Sequence, residues 1–150
     1  MITDLRKSKR YTDFLPISVS AKSGIKNSFV AGPFSGRIVD ISRHGACLLM
    51  TQVMSKSFHV FHSTKEDDSL FLELYINIPP DLVAFAIPAR PVWMNTFNME
   101  DIRAFRMGVD FLMNPDGGKM KRLERIMGQK QKQREKNWKS MTMAMAKKIE

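Results

Sequence analysis

From Leu70 to Ile78 the chain alternates without a fault: Leu70, Leu72, Leu74, Ile76 and Ile78 on one side, Phe71, Glu73, Tyr75 and Asn77 on the other. A period of two puts every aliphatic residue on one face of an extended strand. Pro79-Pro80 ends the run, because proline has no amide hydrogen to give to a ladder. Phe14–Ser20, Phe34–Ile41 and Ala46–Thr51 are also short and rich in β-formers, and turn residues such as Gly24, Asn27, Gly32, Pro33 and Gly45 separate them. Val83–Met94 and Arg103–Met113 read as an antiparallel pair joined by Asn95–Ile102, with Pro88 and Pro91 placing the first at an edge or a bulge. Ser55–Ser69 reads as an exposed loop around a short strand at Phe58–Phe61. Six or seven short strands with no helix between them predict a mainly β protein, a small antiparallel barrel rather than a βαβ fold.

Asn114-Pro-Asp-Gly-Gly118 closes this part, and the period then changes. Met120, Leu123, Ile126 and Met127 share one helical face, and Trp138, Met141, Met145 and Ile149 repeat the pattern. The stretch between them is almost wholly polar, so the tail is either one long helix or two broken near Gly128. The division predicted is an arm over 1–13, a β domain over 14–117 and a basic, Met-rich helical tail over 118–150. A chain of 150 residues, 43% of them hydrophobic, has material for one core of ordinary size.

The net charge of +9 suggests an anionic partner until it is located. Residues 119–150 hold eleven basic and three acidic residues, a net +8, which leaves +1 for everything else. The basic signal therefore belongs to the tail. A single cysteine, Cys47, excludes an internal disulfide. The first residues lack the apolar stretch of a secretory signal, and Leu82–Ala89 is too short to span a bilayer, so a cytoplasmic protein is expected.

The arm contains Arg6-Lys-Ser-Lys-Arg10, and some thirty residues later a strand runs into Asp40-Ile-Ser42-Arg-His-Gly45. These are RxxxR and DxSxxG. Two arginines on an arm can close over a ligand, because a guanidinium presents a planar fork to phosphate oxygens or to the O6/N7 edge of guanine, and its flat face stacks on a base. Asp40 accepts only, which suits the guanine edge where N1–H and the exocyclic amine both donate. Ser42 donates or accepts, and Gly45 leaves no Cβ where the backbone turns or approaches a ligand.

In this order the two motifs resemble the signatures of the PilZ family, and Arg106-Met-Gly108-Val-Asp-Phe111 is similar to that family's last strand. The resemblance covers Arg6 to Met113. It implies a six-stranded antiparallel β-barrel, here with a C-terminal helical tail, and cyclic di-GMP as the ligand of Arg6, Arg10, Asp40, Ser42 and Gly45. Leu5 precedes the first arginine; it can cover a guanine face but not pair with a phosphate, which favours one ligand copy over an intercalated pair. Arg43 offers a further phosphate contact, or exposure at a turn tip. A mixed guanine–adenine cyclic dinucleotide satisfies Asp40 equally. The motif residues also have a purely local reading, since Asp, Ser and Gly are ordinary turn formers.

Other constellations carry less. His59 and His62 with Glu66, Asp67 and Asp68 lack metal-ligand spacing and read as a surface loop, so no metal and no cofactor are expected. Cys47 beside His44 sits in an apolar run with no third partner, and the chain reads as a non-enzyme. The predicted function is a cyclic di-GMP receptor or adaptor whose arm becomes ordered on binding and which signals through a downstream protein. The alternatives are a nucleic-acid-binding protein that uses the tail and a PilZ-like adaptor acting by protein contacts alone. Residues 118–128 of the tail read as packing. Trp138–Ile149 reads as an interaction segment, for a homo-oligomer before nucleic acid or a membrane surface.

Overall fold

The computed structural model describes residues 11–78, 80 and 82–149; Leu5, Arg6 and Arg10 lie outside them. In chain order the elements are β1 (Tyr11–Ser23), β2 (Ser28–Ile41), β3 (Gly45–Met50), β4 (Met54–Ser55), β5 (Phe58–His59), α1 (His62–Glu66), β6 (Leu70–Ile78), β7 (Leu82–Met99), β8 (Ile102–Phe111) and α2 (Gly118–Ile149). The six long strands form one antiparallel sheet in the order β1-β2-β3-β8-β7-β6, and the β6–β1 ladder brings that order back to its start. β4 and β5 form a separate two-stranded sheet.

The alternation in β6 places Leu72, Leu74, Ile76 and Ile78 in the core, where they meet Val19, Ile38, Leu48, Ile87 and Met107 from five other strands. Full burial of such a side chain contributes about 1.5–3 kcal/mol. A one-residue slip would turn the whole set outward, so the pattern fixes the register as well as the face. Pro91 marks the bulge in β7, where pairing with β8 jumps between Pro91 and Trp93.

The structure departs from the sequence reading in three places. β1 begins at Tyr11, inside the stretch read as an arm, because Tyr11 and Thr12 already pair with Ile41 and Asp40. Asn95–Met99 is strand rather than connection, and Glu100-Asp101 makes the β7–β8 turn, Glu100 with a positive φ of 55°. The Ser55–Ser69 segment contains the short helix α1, whose Lys65 ammonium donates to the carbonyl of Val92 at 3.2 Å. Of the two forms left open for the tail, the structure has the first, one continuous helix of 32 residues. Gly128 costs an α-helix only about 1 kcal/mol, and helix-favouring residues lie on both sides of it.

The first turns of α2 bury Met120, Leu123, Ile126 and Met127 in the same core. Asn114 sets the helix entry: its side chain accepts from the Asp116 amide at 3.0 Å and its carbonyl from the Gly117 amide at 3.0 Å. Lys119 lies 4.7 Å above the ring of Phe85. No described helix is long and apolar enough to cross a membrane.

Candidate ligand site

The end of β2 and the loop to β3 carry Asp40, Ser42 and Gly45. Asp40 is the second-last residue of β2. It pairs with Thr12 of β1 on one side and Cys47 of β3 on the other. Its neighbours Ile38 and Ile41 enter the core, with a bulge between Ile38 and Asp40. Cys47 pairs with Gly108, and Gly108 with Trp93. Thr12, Asp40, Cys47, Gly108 and Trp93 therefore form one row across five strands. From Asp40 to Trp93 that row spans about 14 Å at the usual strand spacing.

From Asp40 to Trp93 the row lies on the outer face, since the alternate residues Leu48, Met107 and Val109 are the ones in the core. A Cβ built on Gly108 would collide with the indole of Trp93, so the tryptophan lies directly over that glycine. Trp93 keeps 41% of its surface exposed. Arg37, Leu49, Arg106 and Asn95 form a second row two residues along β3, with both arginines exposed. The sequence reading did not bring Trp93, Arg37 and Arg106 to this face. The available signal was their alternation with core residues, but which strands would stand side by side was not readable.

Ser42 and Gly45 close a tight loop. The Ser42 amide donates to the Gly45 carbonyl at 2.8 Å, and the Ser42 hydroxyl accepts from the His44 amide at 3.2 Å. The Phe111 amide donates to the His44 carbonyl at 2.8 Å, tying the loop to β8. This is the local turn chemistry that the residue types allow, and it holds the loop in one shape. A Cβ on Gly45 would strike the carbonyl oxygen of Val109 in β8, so what demands glycine here is the neighbouring strand.

Arg43 reaches the root of α2: its Nη1 lies 3.1 Å from Asp116 Oδ1 and its Nε 3.0 Å from Glu124 Oε2. Cys47 is buried. His59 Nδ1 accepts the amides of Phe61 and His62, both at 3.1 Å, which gives that histidine a structural role. Burial, and then the neighbouring His62, hold its pKa below the ordinary 6.5. Among the described residues no group of His, Cys, Asp and Glu could hold a metal ion.

The profile of the PilZ domain matches residues 4–129. Comparison with curated protein sequences gives no match. Among solved structures, the PilZ domain of YcgR from Escherichia coli, solved with c-di-GMP, is similar at a TM-score of 0.59 and 18% identity, over 89% of this chain and 98% of that one. MrkH from K. pneumonia in its apo state gives a TM-score of 0.51 at 14% identity, over 91% of this chain and 55% of that one. PlzA from Borreliella burgdorferi, in complex with c-di-GMP, gives 0.48 at 13% identity, over 82% and 53%. This chain thus spans about half the length of MrkH and PlzA. At such identities the likeness is one of fold, and the profile match covers most of the sequence, including the Asp40–Gly45 loop: the chain belongs to the PilZ domain family.

Proposed function

We propose that the chain is a cyclic di-GMP receptor whose site is the outer sheet face at the end of β2, closed by the segment carrying Arg6 and Arg10. The observation that carries this reading is the pairing of Thr12 with Asp40. Arg10 precedes Tyr11, whose partner is Ile41, and consecutive Cα atoms lie about 3.8 Å apart. Chain connectivity to Tyr11 therefore keeps the second arginine of RxxxR within reach of the aspartate of DxSxxG, although the motifs are some thirty residues apart in sequence. Arg6 is four residues further back, within roughly 14 Å along an extended chain.

The chemistry then divides by group. The Asp40 carboxylate accepts from N1–H and the exocyclic amine of a guanine, a pairing that adenine cannot offer from the same edge. The Ser42–Gly45 loop, held by its own hydrogen bonds, forms a ledge with the backbone fixed before the ligand arrives. Arg6 and Arg10 give bidentate contacts to phosphate or to the guanine O6/N7 edge. Leu5 covers a base face. Arg37 and Arg106 add positive charge one row away, and Trp93 offers an indole face on the Asp40 row.

Binding draws the Arg6–Arg10 segment onto the ledge, and that change is the signal a protein partner reads. Such a partner, if it prefers the closed arrangement, must tighten ligand binding by the same factor. The family match and the cyclic dinucleotide carried by the YcgR PilZ domain support the reading. A titration against cyclic di-GMP and cyclic di-AMP, followed by tryptophan emission, tests it. Saturable binding of cyclic di-GMP with far weaker binding of cyclic di-AMP is expected, and equal affinity for the two would remove Asp40 as the base reader.

A further inference from the structure

Helix α2 extends well past the domain it caps. Its 32 residues span about 48 Å at 1.5 Å per residue, yet among the described residues its buried side chains stop at Met127. From Gln129 to Met143 no described side chain is buried, and roughly 30 Å of helix remains beyond the core contact. Trp138, Met141 and Met143 are exposed by 70%, 60% and 63%. Residues 129–149 carry seven basic residues and one acidic, a net +6.

These features are partly sorted around the helix, with Met143, four residues after Lys139, on the lysine side. Lys132, Lys136 and Lys139 recur at four and three residues and form one stripe, all exposed. Trp138, Met141 and Thr142 lie together on another face at three and four residues. The Thr142 hydroxyl donates to the Trp138 carbonyl at 2.8 Å, which satisfies it within the helix and lowers the polarity of that face.

We propose that this projecting part of α2 lies on an anionic lipid bilayer, with the lysine stripe at the headgroups and Trp138 and Met141 entering the acyl boundary. Charge decides between occupants. A second copy of the helix would set +6 against +6. Nucleic acid would match the charge but leave the methionine hydrocarbon without a gain, and base stacking would have one exposed tryptophan to use. An anionic bilayer takes both stripes at once: lysines gain from the surface potential, and an indole beside aliphatic side chains settles at the water–lipid boundary. The helix lies in the plane, since it is too polar to cross.

Cosedimentation of the full chain with phosphatidylcholine vesicles, with and without phosphatidylglycerol, tests this in the absence of any nucleotide, so failure leaves the ligand site untouched. Binding only to the phosphatidylglycerol vesicles, weakening as salt is raised, is expected. Reversing Lys132, Lys136 and Lys139 to Glu should lower the partition at least about 100-fold, from roughly five-fold per lysine lost. Trp138→Ser should lower it roughly 10-fold. All four positions are exposed, and an unchanged melting midpoint checks that the variants fold. Three results would overturn the proposal: no sedimentation or equal sedimentation with neutral vesicles, tighter binding to duplex DNA lost in the lysine variant, or a stable oligomer in solution lost in Trp138→Ser.

Discussion

Arg43 Nε lies 3.0 Å from Glu124 Oε2, so the residue directly after Ser42 in the candidate ligand loop is joined to the second turn of α2. Asp116 takes the same guanidinium at 3.1 Å. Loop and helix are thus linked by one side chain. Both partners of the Arg43–Glu124 pair keep about a quarter to a third of their side-chain surface exposed, which places its worth above a free surface pair and below a buried one. A double-mutant cycle with Arg43→Ala and Glu124→Gln should give a coupling of about 0.5–1 kcal/mol. Hydrogen exchange over residues 118–127 should quicken in Arg43→Ala. A coupling of zero would mean that the loop and helix hold their positions independently.

Gly45 and Gly108 are both needed for space, but against different obstacles. A methyl group on Gly45 meets the backbone carbonyl of Val109, which no side-chain rotation relieves. Gly45→Ala should lose about 1–3 kcal/mol in urea unfolding. A methyl group on Gly108 meets the indole of Trp93, which is half exposed and free to swing outward. Gly108→Ala should cost less stability, and in a Trp138→Phe background it should shift the remaining emission to the red. Equal losses in the two variants would contradict this distinction.

The pH dependence of stability should show His59. Its neutral Nδ1 accepts two backbone amides, and burial together with His62 lowers its pKa below 6.5. Above that value both folded and unfolded states are neutral there, and the contribution is complete. As pH falls through the unfolded value towards the lower folded one, the unfolded state binds the proton first and stability drops. Chemical unfolding between pH 7.5 and about pH 5 should register this loss. His59→Asn, which keeps an acceptor but does not titrate, should flatten the dependence. An identical slope in wild type and variant would assign the effect to other groups.

What was legible in the sequence was what short-range contrast could reveal. Leu70–Ile78 reads as a strand because one face is buried and the other is not. Asn95–Met99 carries no such contrast, since β6 no longer flanks β7 there and the described side chains are exposed. The five residues of α1 are too few to show a helical period. Asp40, Ser42 and Gly45 stood out through the resemblance of DxSxxG to a family motif, and Ser42 does make the turn bonds its chemistry allows. The reason for Gly45 lies in Val109, and the use of Arg43 in Asp116 and Glu124, positions some sixty to eighty residues away. Trp93 joins the Asp40 row only through three successive strand registers.

The central claim, that this chain takes cyclic di-GMP at the end of β2, is most directly tested by calorimetry of that nucleotide with wild type, Arg6→Ala, Arg10→Ala and Asp40→Ala. Wild type should bind saturably, and each variant should lose roughly 5- to 150-fold in affinity, the worth of about 1–3 kcal/mol for one bidentate contact. Absence of binding by wild type, or affinity unchanged in all three variants, would contradict the account.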